Sequence, residues 1–166
     1  NNNGLTSSFL ITNNGAVNVS GTTLVNNNVD ATINQSGQLK TSNLAIGFEG
    51  NGALNVVSGG GVTANDIELG LETAISKGTL NITGQNSKVT TDEIEVGKDG
   101  LGILSISNGG ALTASSGVFA GFAAGSEGNI DLNKGAIVAN TLVIANAGKG
   151  NLTVNEGSVN VATDLN

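Results

Sequence analysis

Acidic side chains supply the one recurring pattern in this chain that could do chemistry. Asp66 and Glu68 stand in Asn65-Asp66-Ile67-Glu68-Leu69-Gly70, and Glu93 and Glu95 hold the same places in Asp92-Glu93-Ile94-Glu95-Val96-Gly97. Carboxylates that recur in register offer oxygen ligands, and Ca²⁺ takes roughly six to eight of them. Asp66, Glu68, Glu93 and Glu95 are therefore the candidate Ca²⁺ site, with Glu49, Glu72 and Asp99 just past the neighbouring glycines. The competing expectation is a solvated acidic edge partly offset by Lys98. The nonapeptide Gly-Gly-x-Gly-x-Asp calcium repeat is missing, and stacked like charges repel unless screened or bound. No cofactor is expected beyond this Ca²⁺.

Catalysis has little to work with. The chain has no His, Cys or Tyr, and its six basic residues are all Lys. That leaves Ser with Lys, or paired carboxylates, as the available acid–base and nucleophilic groups. The Asp residues (Asp30, Asp66, Asp92, Asp99, Asp131 and Asp164) are scattered along the chain rather than clustered. The expectation is a protein that is not an enzyme. A second outward pattern is apolar: Phe119, Val138 and Val143 stand where earlier units carry polar residues and Phe122 follows closely after Gly121, which suggests contact with a partner. Thr63, Thr90 and Thr113 form a short column that ordinary β-propensity explains.

What positions these residues is a repeat. The clearest copy reads Gly52-x-Leu54-x-Val56, a Gly/Ser turn, Val62-Thr63-Ala64, then Ile67-x-Leu69-Gly70. Inward pairs recur at Phe9 and Ile11, Ala31 and Ile33, Leu54 and Val56, Leu80 and Ile82, Leu104 and Ile106, Ile130 and Leu132, and Leu152 and Val154. A second segment is marked by Val17, Leu39, Val62, Val89, Leu112, Ile137 and Val159. A third is marked by Leu44 and Ile46, Ile67 and Leu69, Ile94 and Val96, Val118 and Ala120, and Leu142 and Ile144, with Leu24 assigned to the first unit. Gly47, Gly70, Gly97 and Gly121 close the third segment, and Ala145 breaks that column.

Each segment alternates apolar and polar residues, so each is a short strand with one buried face. Units step by roughly 22 to 26 residues, a solenoid period. Seven rungs at about 4.8 Å would make a rod of about 34 Å. The expected fold is all-β: a right-handed, single-stranded parallel β-helix of about seven rungs with three short strands each. Residues 1–166 are expected to be one domain. No unit shows helical periodicity, which argues against leucine-rich repeats, and propeller blades are nearly twice as long.

Composition agrees. Hydrophobic residues make up 38% of the chain, enough for a core, yet only four are Phe and none is Trp, Tyr, Met or Cys. A narrow bore stacks small aliphatics better than rings. The 26 glycines and abundant Asn suit corners that need positive φ. A net charge of −7 without Arg argues against nucleic acid and anionic membranes as partners. No apolar stretch is long enough for a transmembrane helix, so membrane insertion by this segment is not expected. Without Cys there is no disulfide framework and no thiolate metal site. The chain begins at Asn1 and stops within a repeat, and is read as an excerpt of a longer protein.

The stretch Gly78-Thr79-Leu80-Asn81-Ile82-Thr83-Gly84, Ser87-Lys88-Val89, Ile94-Glu95-Val96-Gly97 and Gly102-Ile103-Leu104-Ser105-Ile106-Ser107-Asn108-Gly109-Gly110-Ala111-Leu112 resembles a known repeat. It is similar to the passenger repeat of type V secreted bacterial autotransporters, GxGxLxVxxGGxV followed by LxVG. The resemblance is clearest over about residues 52 to 121. Related repeats occur in two-partner-secreted exoproteins and other bacterial surface proteins. It implies export to the Gram-negative cell surface or beyond, and a stalk or adhesin that meets host-cell or bacterial surface molecules, or itself. A self-assembling filament unit and a carbohydrate-active β-helix are the alternatives.

Overall fold

The alternation in the sequence is realised strand by strand. A computed structural model describes residues 7–166, and it is all-β. The first rungs hold β1 (Ser7–Ile11), β2 (Ala16–Val25), β3 (Val29–Ile33), β4 (Gln38–Ile46) and β5 (Asn51–Val57). The middle of the rod holds β6 (Gly61–Thr63), β7 (Asp66–Leu69), β8 (Lys77–Thr83), β9 (Lys88–Val96) and β10 (Leu101–Ser107). The last rungs hold β11 (Ala111–Ala120), β12 (Glu127–Asn133), β13 (Ala136–Ile144), β14 (Lys149–Asn155) and β15 (Ser158–Leu165). One sheet stacks in the order β1-β3-β5-β8-β10-β12-β14, and the other runs β15-β13-β11-β9-β6-β4-β2 with β7 beside β4 and β9. Every pairing is parallel, so the chain forms a parallel β-helix of seven turns.

The expected inward columns are the observed ones. Leu54, Leu80, Leu104 and Ile130 are in register in the first sheet. Val62, Val89, Leu112 and Ile137 are in register in the second. Together with Ile67, Ile94, Val118 and Leu142 they form one continuous aliphatic core in the bore. Parallel pairing and alternation reinforce each other here. Each rung buries its apolar face only because the next rung lies in the same register.

Two details differ from the expectation. The second and third strands of a rung are joined through a bulge into one bent strand in every rung except the third, where β6 and β7 stay separate. Buried Thr side chains serve this corner. The one Thr91 hydroxyl proton is shared between the carbonyls of Asn65 (2.7 Å) and Glu93 (2.8 Å), and that of Thr41 between Gly21 and Asn43. The Asn65 carbonyl also accepts from the Asp92 and Glu93 amides, so the hydroxyl adds a further bond at the corner where the register shifts. The second difference is Leu24. It is 56% exposed, while its neighbour Val25 is buried. β2 places Ser20 and Gly21 opposite the single Ser42 of β4, and the extra residue flips the parity of all that follows.

Corner glycines Gly47, Gly70, Gly97 and Gly121 close four of the third strands in left-handed backbone, with Gly97 at φ +75°. Ala145 adopts φ 66° in the same column, which costs an L-residue about 1 kcal/mol. Among the described residues no rung lies beyond that corner. Ala145→Gly is expected to stabilise the protein by about 1 kcal/mol, read as a higher urea midpoint with an unchanged m-value. An unchanged midpoint would show that the alanine is unstrained.

Candidate functional site at the outer corner

Phe48, Leu71, Lys98 and Phe122 follow the corner glycines, and Asn146 follows Ala145. Of these, Lys98 and Phe122 fold back against the outward column of the third strands, where Ala45, Glu68, Glu95, Phe119 and Val143 stand in register on successive rungs. The acidic pattern and the apolar pattern of the sequence are thus consecutive parts of one column. Two of its members are buried although they face outward, Ala45 at 2% exposed and Glu95 at 7%, and the neighbouring Leu71 is 5% exposed; Glu68, Phe119 and Val143 are half-buried.

At the centre stands an ion triad. Lys98 Nζ lies 2.8 Å from Glu95 Oε2 and also pairs with Glu68 Oε1. The Phe122 ring centroid is 6.0 Å from the same ammonium, a weak cation–π contact. Phe122 meets Phe119 edge-on, with centroids 6.0 Å apart and planes at 88°. Phe119 in turn lies back over Gly117, where an added Cβ would come within 2.7 Å of its ring. Gly117 is what lets the ring lie along the sheet.

Burial is the main reason the Glu95 carboxyl is held above its ordinary range. The hydrogen bond and charge of Lys98 pull it down, and the charges of Glu68 and Glu93 push it up. Burial alone would lower Lys98, but its hydrogen bonds to Glu68 and Glu95 outweigh this and hold the ammonium well above the usual lysine range. The signs have different consequences. Glu95 keeps its proton more tightly in the folded chain, so its contribution is greatest at acid pH. That contribution is lost as pH rises through its raised value. The Lys98 contribution is intact below the ordinary lysine range and fades only in strong alkali. Glu95→Gln is therefore expected to flatten the pH dependence of stability just above the ordinary glutamate range. Urea titrations at several pH values check this, and an unchanged slope would remove Glu95 as its source.

The four residues offered as a Ca²⁺ site are brought together on adjacent rungs, Asp66 beside Glu93 and Glu68 beside Glu95. Lys98 occupies the position between Glu68 and Glu95 where a cation would sit. Among the described residues no three acidic side chains converge as a metal cage. Nor is the edge uniformly solvated, since Glu95 is buried. Asp66, Glu68, Glu93, Glu95 and Lys98 line a cleft of about 260 Å³ with Asn43 and Ile67. The other turn acids have backbone roles or none: Asp99 Oδ2 accepts from the Glu72 amide at 3.2 Å.

Of the four apolar candidates, Phe119, Phe122 and Val143 share this corner. Val138 does not: it is 46% exposed and continues the column of Thr63, Thr90 and Thr113 on the second strands. Reading the sequence set Lys98 against the acidic edge but not as a bridge between Glu68 and buried Glu95, and it missed the buried polar residues Thr41, Thr91, Ser76, Ser87 and Ser126. A signal for Lys98 was present, because its equivalents in flanking units are the bulky Leu71 and Phe122. No protein-family model matches the chain, and neither a curated protein nor a solved structure does.

Proposed function

We propose that this chain is a segment of an exported bacterial surface protein, an autotransporter-like passenger. On this reading its β-helix acts outside the cell as a stalk or adhesin and catalyses no reaction. One observation carries the reading: inward positions keep one aliphatic character along the rod, while the outer corner changes from Ala45 to Glu68 and Glu95, then to Phe119 and Val143. A constant bore makes a stiff rod, and a face that varies by rung suits recognition. The repeat resemblance over about residues 52 to 121 supports export. Beads coated with the chain are expected to adhere to host cells or to one another more than bare beads. Adhesion equal to that of bare beads in both assays would remove the adhesive role.

A second reading is a unit that assembles along its axis. The last rung presents the unpaired edges of β14 and β15 over Leu152, Val154, Val159, Val161 and Leu165, to further chain or to a second copy. Light scattering that rises with concentration would favour assembly, and a constant monomer mass would exclude it for this segment.

A further inference from the structure

We propose that the outer face of the third strands, from Asp66 to Val143, docks a polypeptide that presents a lysine or arginine beside an apolar side chain. This rests on the adhesive reading above and names the partner's chemistry. The chain holds its own example of such recognition. Lys98 is gripped by two carboxylates in register on adjacent rungs, Glu68 and Glu95, with the Phe122 ring alongside. The same three parts recur one column over. Asp66 and Glu93 are in register, and the next place in that column is Gly117, covered by the Phe119 ring.

This second set holds no cation of its own. Among the described residues the ion pairs are Lys98 with Glu68, Lys98 with Glu95, and Lys134 with Glu156. Four carboxylates therefore face one ammonium at this corner, so the face complements a positive partner. The cleft of about 260 Å³ is lined by both carboxylate pairs and Lys98; Lys98 takes the Glu68 and Glu95 side, which leaves the Asp66 and Glu93 side for an ammonium or guanidinium head. Two carboxylates beside an aromatic ring satisfy such a head by charge, hydrogen bonds and cation–π attraction. Phe119 and Val143 continue the outward column on the next two rungs, about 5 to 10 Å along the rod. That apolar strip calls for more than a free cation. A polypeptide with a basic residue and an apolar residue at that spacing meets both parts.

The test uses the purified chain and fluorescence anisotropy at physiological salt. The probe is a labelled short peptide of alternating leucine and lysine, compared with serine–lysine and leucine–glutamate counterparts. The leucine–lysine peptide is expected to bind at least tenfold tighter than serine–lysine, and leucine–glutamate should not bind. The pair Asp66→Asn and Glu93→Gln should weaken binding at least fivefold. The pair Asp30→Asn and Asp131→Asn, on the first sheet, makes the same charge change and should weaken it less than twofold. Neither Asp66 nor Glu93 is ion-paired, so both variants are expected to melt like the parent. No binding, equal binding of the two lysine peptides, or equal losses in the two variants would each overturn the proposal. Peptide binding without bead adhesion would sink the adhesive reading alone. Bead adhesion unaffected by Asp66→Asn and Glu93→Gln, with no peptide binding, would sink this one alone.

Discussion

Gly97→Ala is expected to cost about 3 kcal/mol, in two separable parts. Gly97 has φ +75°, where an L-residue is strained by about 1 kcal/mol. Its position is also tight: an added Cβ would stand 2.1 Å from the carbonyl oxygen of Glu127, a backbone atom of the next rung. Relieving that contact means moving β12 away from β10 in the middle of the stack, and overpacking of this kind costs about 1 to 3 kcal/mol. Gly125→Ala is the control. Gly125 has φ +87° but nothing within 4 Å of the added Cβ. It should lose only the conformational part, about 1 kcal/mol. Urea unfolding of both variants separates the terms. If the two lose the same stability, the close approach of successive rungs at the corner is not what the glycine serves.

That corner marks the limit of what the sequence makes legible. The inward columns were readable throughout, because alternation and a near-constant period act together and a slip of one residue would bury polar side chains. The glycines were readable for a related reason: only a few residues tolerate left-handed backbone. Leu24 was misplaced because the number of residues across the second corner varies by one, and nothing local in Ser20-Gly21-Thr22 announces the extra residue. The acidic and apolar patterns looked like two sites because alternation says which side a residue faces and nothing about what covers it. Glu95 is buried on the outside of the rod by residues that follow it round the turn. Thr91 was hidden differently, since a buried hydroxyl at a bulge reads as an interruption in an apolar column.

Lys98→Met should therefore destabilise through Glu95 more than through the lost lysine itself. Glu95 is 7% exposed, and without Lys98 its charge would have Glu68 and Glu93 as neighbours. Breaking a fully buried pair costs about 3 to 5 kcal/mol. Here the Glu95 side chain is 9% exposed but that of Lys98 32%, so solvent screens part of the loss. We expect about 2 kcal/mol at pH 7. Methionine keeps the packing against Phe122, so the change reports charge. The loss should shrink toward acid pH, because Glu95 then takes up a proton and no bare charge stays buried. Adding Glu95→Gln should recover most of the loss at pH 7, since an amide can occupy the site uncharged. A coupling energy near 2 kcal/mol between the two substitutions would show that the lysine exists chiefly to neutralise that carboxylate. Independent losses that simply add, with no pH dependence, would mean that the triad is an ordinary surface ion pair.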